Sequence, residues 1–159
     1  MNKNYSKNEL ILIGVRKLLV DDNTNTGAEV REIQFYCEDR IYRTDLNHAA
    51  TFPQILMEID SMDSSILIPT SKFILTIKIC IKRGTSGANM VLDRMATRVE
   101  YLLNRQHEKI NIAADLAKNL RCRMIRKISA IRATDMIMDI ITEIIMFEIV
   151  LDDEILTIK

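Results

Sequence analysis

The chain has 159 residues with 22 basic and 22 acidic side chains, so it carries no global field that would hold nucleic acid or an anionic membrane by net charge alone. That length fits one domain and is enough to bury about two-thirds of the unfolded surface. Trp is absent, Gly and Pro are scarce, and Ile and Met are abundant, a composition that favours long regular elements. Cys37, Cys80 and Cys122 are odd in number, far apart and in no metal-ligand spacing. They exclude a disulfide framework or a zinc site of ordinary pattern and fit a reducing place of synthesis.

The N-terminal apolar stretch is interrupted by Arg16 and Lys17 and is followed by no small-residue cleavage site, so it reads as neither signal peptide nor membrane span. Ser6 and Glu9 have capping-box spacing ahead of Leu10, which predicts a first helix over about residues 7–21. A polar, turn-rich loop follows at 21–27. Residues 30–37 and 40–45 are rich in Ile, Phe and Tyr and read as strands. Pro53 opens a further strand over 54–59, since a strand start needs no N–H there.

From Phe73 onward, Leu75, Ile77, Ile79 and Ile81 alternate with Lys78 and Lys82, the pattern of a half-buried strand. Gly84 to Gly87 break it and offer Ser86 as a helix N-cap. Met90 or Val91, Met95, Val99, Leu102 and Leu103 then recur at helical spacing, with Met90 and Met95 read as core filler. This strand and helix are expected to share the main core. Residues 105–119 read as a polar connection with a short helical turn at 112–117. Residues 120–131 fit strand or helix by periodicity, and position favours strand. The final element, 136–151, fits a strand apolar on both faces, Ile140, Ile144 and Met146 on one and Ile145, Phe147 and Ile149 on the other, expected to be covered on both, while Asp139, Glu143 and Glu148, four and five residues apart, also suit a helix. The order predicts an α+β domain spanning 1–159, with one largely antiparallel or mixed sheet and an N-terminal and a central helix packed on it.

No residues assemble into a catalytic, cofactor or metal motif. His48 and His107 lie near no nucleophile or ligand pattern, Cys80 reads as a packing residue, and the 84–87 break lacks the Lys of a phosphate-binding loop. One constellation stands out. Lys118, Arg121, Arg123, Arg126, Lys127 and Arg132 form a basic block without an acid. Asp135, Asp139, Glu143, Glu148, Asp152, Asp153 and Glu154 follow as an acidic one. Three readings remain open: a nucleic-acid-binding module using 118–132, charge-complementary faces that dock one copy on the next, or two hairpin strands that neutralise each other across the ladder. In the docking reading the interface residues are Arg121, Arg123 and Arg126 against Asp139, Glu143 or Glu148 of a neighbour. A small enzyme or ligand-binding domain is a further class, disfavoured because no triad, metal cluster or Gly-rich loop can be composed.

The leading helix, RIYRTD, the strand at FPQILMEID, the long KFILTIKICIKR strand, the LDRMATRVEYLLNR helix and two closing strands resemble, over about residues 5–151, the tail terminator or tail completion proteins of long-tailed bacteriophages. The resemblance implies a structural virion protein without enzymatic activity or cofactor. It implies a hexameric ring that caps the tail tube, ends its polymerisation and offers the attachment surface for the head and neck. Its implied partners are further copies of itself, the tube protein and a neck connector, with DNA passing through the lumen without specific binding. Its place would be the tail-neck junction, after synthesis in the host cytoplasm. The basic-then-acidic C-terminal pair matches no feature of that family.

Overall fold

A computed structural model of the chain describes residues 6–21, 32–44, 51–61, 70–114 and 120–153. Helix α1 (Lys7–Val20) begins at the expected cap: the Ser6 hydroxyl accepts from the Glu9 amide at 3.2 Å and the Glu9 carboxylate accepts from the Ser6 amide at 2.8 Å. Then come α2 (Glu32–Cys37), β1 (Ile41–Arg43), β2 (Gln54–Ser61), β3 (Thr70–Lys82), α3 (Ala88–Leu103), α4 (His107–Ala113), β4 (Leu120–Asp135) and β5 (Ile140–Asp153). The strands form one mixed sheet in the order β1-β2-β3-β5-β4, parallel only between β1 and β2. The fold is α+β, as the pattern predicts.

Register places Met57, Ile77 and Ile145 side by side, and likewise Leu75 and Phe147, so the odd-numbered residues of three strands present one apolar face. Phe73, Leu75, Ile77, Ile79 and Ile81 are all buried there against Val91, Met95, Val99, Leu102 and Leu103 of α3 and against Ile11, Val15 and Leu19 of α1. The shared core of the long strand and the central helix is therefore as expected. Each such side chain contributes about 1.5–3 kcal/mol relative to exposure, which makes this face the main source of stability. Gly14 lets α1 approach α4: a Cβ at that position would lie 2.8 Å from the Ala114 Cβ.

Several expectations are corrected. Part of the stretch read as a strand at 30–37 is the helix α2, because Ile33 and Cys37, four residues apart, bury on one side. Gly87, at φ 67° and without a side-chain cap bond, precedes α3 in place of Ser86. Val91 takes the inward position and Met90 is exposed. The helical turn expected at 112–117 is the helix α4, lying earlier, with Ile110 and Ala114 turned inward. The last strand begins at Ile140, and Met136–Asp139 form the turn before it. It is covered on one side only. Ile141, Ile145, Phe147 and Ile149 are buried, whereas Ile140, Ile144 and Met146 are half-buried on a face that no described helix overlies.

Candidate assembly surface

Strand β4 is a sheet edge, and its two halves are finished differently. In the first half the connection between α3 and α4, together with α4 itself, bonds to the edge. Asn111 donates from Nδ2 to the Cys122 carbonyl at 3.0 Å and its Oδ1 accepts from the Cys122 amide at 2.7 Å. Arg105, at φ 61°, aims its amide at the Ile125 carbonyl, and the Asn104 Oδ1 accepts from the Lys127 amide, both at 2.9 Å. A bulge between Lys127 and Ser129 then shifts the register. By the alternation of an antiparallel ladder, the backbone groups that face outward beyond it are those of Ala130, Arg132 and Thr134. No described group pairs with them.

The charge blocks meet inside the chain. Arg126 donates twice to Glu148 Oε2, at 2.8 and 3.0 Å, Arg123 reaches Asp152 at 3.4 Å, and Arg132 bridges Glu143 at 2.8 Å and Asp93 at 2.6 Å. Arg121 lies 3.9 Å from Glu108, and Asp139 lies 3.1 Å from Arg83. Thus each of Arg121, Arg123, Arg126, Asp139, Glu143 and Glu148 has an ion-pair partner within one copy; Arg123, Arg126 and Arg132 pair across the hairpin, as in the hairpin reading, whereas Arg121 and Asp139 pair with residues outside the two blocks. Such solvent-facing pairs contribute about 1 kcal/mol or less each. The hydrogen bond to Asp93 raises the already high pKa of Arg132 further. A basic stripe offset at each described cation by a carboxylate has little field left for phosphates. Lys118 lies outside the described residues.

The hairpin tip is where sequence reasoning missed a feature. Met136, Ile137 and Met138 all face solvent, Ile137 at 94 % exposure, on a turn that is held in place. Asp135 Oδ1 accepts from the Ile137 and Met138 amides at 3.0 Å each, Asp139 adopts φ 57°, and its carbonyl accepts from the Arg83 amide at 2.9 Å. Of the nine large exposed apolar residues among those described, five (Ile128, Ile131, Met136, Ile137 and Met138) fall in this half of the hairpin, so the exposure there is localised and not scattered. An Asp followed by amides two and three residues on was the available signal, hidden because the turn lacks Gly, Pro and Asn.

Elsewhere the chemistry is muted. Burial pushes Cys37 and Cys122 up to about 12 and raises Cys80, so the three thiols stay protonated. His107 sits at the start of α4 beside Glu108, and His48 lies outside the described residues. A polar cleft of about 590 Å³ between α1 and the β1–β2 edge is lined by Ser6, Glu9, Arg43, Thr44, Glu58 and Asp60; in it the Thr44 hydroxyl donates to Glu58 Oε2 at 3.3 Å, and the other Glu58 oxygen lies 3.5 Å from Lys78 Nζ. Among the described residues no group of three or more His, Cys, Asp or Glu is placed to hold a metal ion, and no helix is long and apolar enough to cross a membrane.

No protein-family model and no curated protein matches the chain. Among solved structures it is similar to a chain of the virion of the native gene transfer agent (GTA) particle. The TM-score is 0.57 and the identity 11 %, and the likeness covers 86 % of this chain and 93 % of that one. At that identity the likeness is one of fold, extending over nearly the whole length of both chains.

Proposed function

We propose that this chain is a structural, non-enzymatic component of a phage-like virion and, more specifically, a tail terminator that closes as a ring on the end of the tail tube and presents the surface on which the neck attaches. The observation that carries the reading is the fold shared, nearly end to end, with a chain from a virion particle. Its sequence resemblance to tail terminator proteins supports the finer assignment. In this reading the ring is a hexamer that contacts the tube protein on one side and a neck connector on the other, and DNA crosses its lumen without specific binding. Arg121, Arg123, Arg126 and Asp139 keep their outer surfaces in solvent and contribute to the contact between copies. Glu143 and Glu148, covered by Arg132 and Arg126, hold those arginines in place.

Immunogold electron microscopy of particles from the producing cells, with antibody raised against this chain, tests the reading. Label at the head-proximal end of the tail supports it. Particles that carry the chain elsewhere, or lack it, contradict the terminator assignment or the virion assignment respectively.

A further inference from the structure

The apolar hairpin tip has a counterpart on the same molecule. Between the C-terminal half of α1 and α4 lies a recess of about 250 Å³ lined by Lys17, Leu18, Asp21, Lys109, Ile112 and Ala113. Leu18, Ala113 and the methylene stems of the two lysines make an apolar floor and walls, and Ile112 is 77 % exposed beside them. The close Gly14–Ala114 approach fixes the two helices that form it. The tip carries Asp135 and Asp139 on either side of its apolar residues. Asp135 accepts only backbone amides, so no described cation compensates its charge. The recess carries Lys17 and Lys109 at its rim, with Asp21 the single acid among its described lining residues. Asp139 is paired with Arg83, and Lys82 reaches the Met138 carbonyl, so the charge the tip offers is that of Asp135; an apolar projection carrying this acid matches, in chemistry, an apolar recess rimmed by two lysines.

One copy cannot join the two. Asn111 of α4 holds Cys122, and the tip begins at Asp135, 13 residues further along β4; at a strand's rise per residue this is roughly 40 Å. We infer that Met136, Ile137 and Met138 of one copy seat in the Lys17–Ile112 recess of the next, with the open backbone edge at Ala130–Thr134 running into the same contact. Joining two different patches makes the interface head-to-tail, the kind that generates a closed ring when the rotation between copies closes. The tip is preorganised by the Asp135 hydrogen bonds, so little ordering entropy opposes the contact. The inference names the contact through which the proposed ring closes and rests on that reading for closure, but not for the contact itself.

The test places a benzophenone-bearing residue at position 137 of the full chain, irradiates the purified protein from micromolar to millimolar concentration, and maps the products by mass spectrometry. Cross-links between copies should land within residues 17–21 and 109–113. Yield should fall about tenfold or more in Ile112→Asp and, independently, in the Lys17→Glu/Lys109→Glu double variant, all of which should melt cooperatively because the altered side chains are exposed. If Ile112→Asp fails to fold, the double variant alone decides. Products joining one tip to another, products on any other surface, or none at millimolar concentration overturn the inference. Particle labelling answers a separate question: a mapped contact with no chain in the particle upholds the interface and sinks the virion role, and the reverse pair of results does the opposite.

Discussion

Strand β4 runs sixteen residues as one element, yet its first half is a finished edge and its second half an open one. Up to Lys127, Asn104, Arg105 and Asn111 take both outward groups of Cys122, the Ile125 carbonyl and the Lys127 amide, and the inward residues Cys122 and Ile125 join the core. Beyond the bulge the outward groups of Ala130, Arg132 and Thr134 have no described partner, and the side chains from Ile128 to Met138 include five large apolar residues in water. Sheet edges are ordinarily blunted because a free ladder next to apolar side chains invites pairing. In the interface proposed above, the half left bare is the one that meets the next copy.

The largest way to break the comparison is to remove the platform both halves share. Ile77→Asp puts an unpaired carboxylate where Met57, Ile145 and the helices converge, at a cost of several kcal/mol, comparable to the stability of a whole domain. Circular dichroism should show no cooperative melt; a soluble, cooperatively melting variant would contradict the core assignment. Next, Asn111→Ala opens the finished half at Cys122. It leaves a buried amide and carbonyl of Cys122 unpaired, and about 1–3 kcal/mol should be lost in denaturant unfolding. A loss near zero would mean water finishes that edge as well as Asn111 does.

A site touching neither half supplies the control. The Ser6 amide and then its hydroxyl, hydrogen-bonded to Glu9, hold the Glu9 carboxyl below its ordinary range. A lowered folded value means that the capping stabilisation is present above the unfolded value, about 4.3, and is lost as pH falls through the folded one. The melting-temperature gap between the natural chain and Glu9→Gln should therefore be open at neutral pH and close in acid; a gap that widens in acid refutes the assignment. The smallest effect belongs to the charge ladder. A double-mutant cycle on Arg126→Ala and Glu148→Ala should return about 1 kcal/mol or less, shrinking as salt is added. Coupling of several kcal/mol would make the ladder a stability element and weaken the case for its role between copies.

What was legible in the sequence follows from length and period. Thirteen residues of β3 and sixteen of α3 carry enough repeats for alternation and helical spacing to separate, and the Ser6–Glu9 box and Pro53 marked the starts of α1 and β2 locally. Six residues of α2, rich in strand formers, contain only one inward pair, Ile33 and Cys37, and strand propensity outweighed it. The charge blocks were visible as composition, but whether they pair within or between copies depended on the turn at 136–139. That turn is made of Met and Ile, residues that ordinarily signal a core, so it was absorbed into the last strand. The assembly surface was hidden for the same reason: an apolar run exposed for binding and one buried for folding look alike in one dimension.

The measurement that bears most directly on the account is amide hydrogen exchange along β4, compared between the free chain and the chain assembled in particles. The Cys122 and Lys127 amides should be protected in both states. The amides of Ala130, Arg132 and Thr134, with those of the Met136–Asp139 turn that face solvent, should exchange rapidly in the free chain and become protected on assembly. Rapid exchange at Ala130, Arg132 and Thr134 in assembled particles would contradict the claim that the open half of this strand is where the protein joins its neighbours.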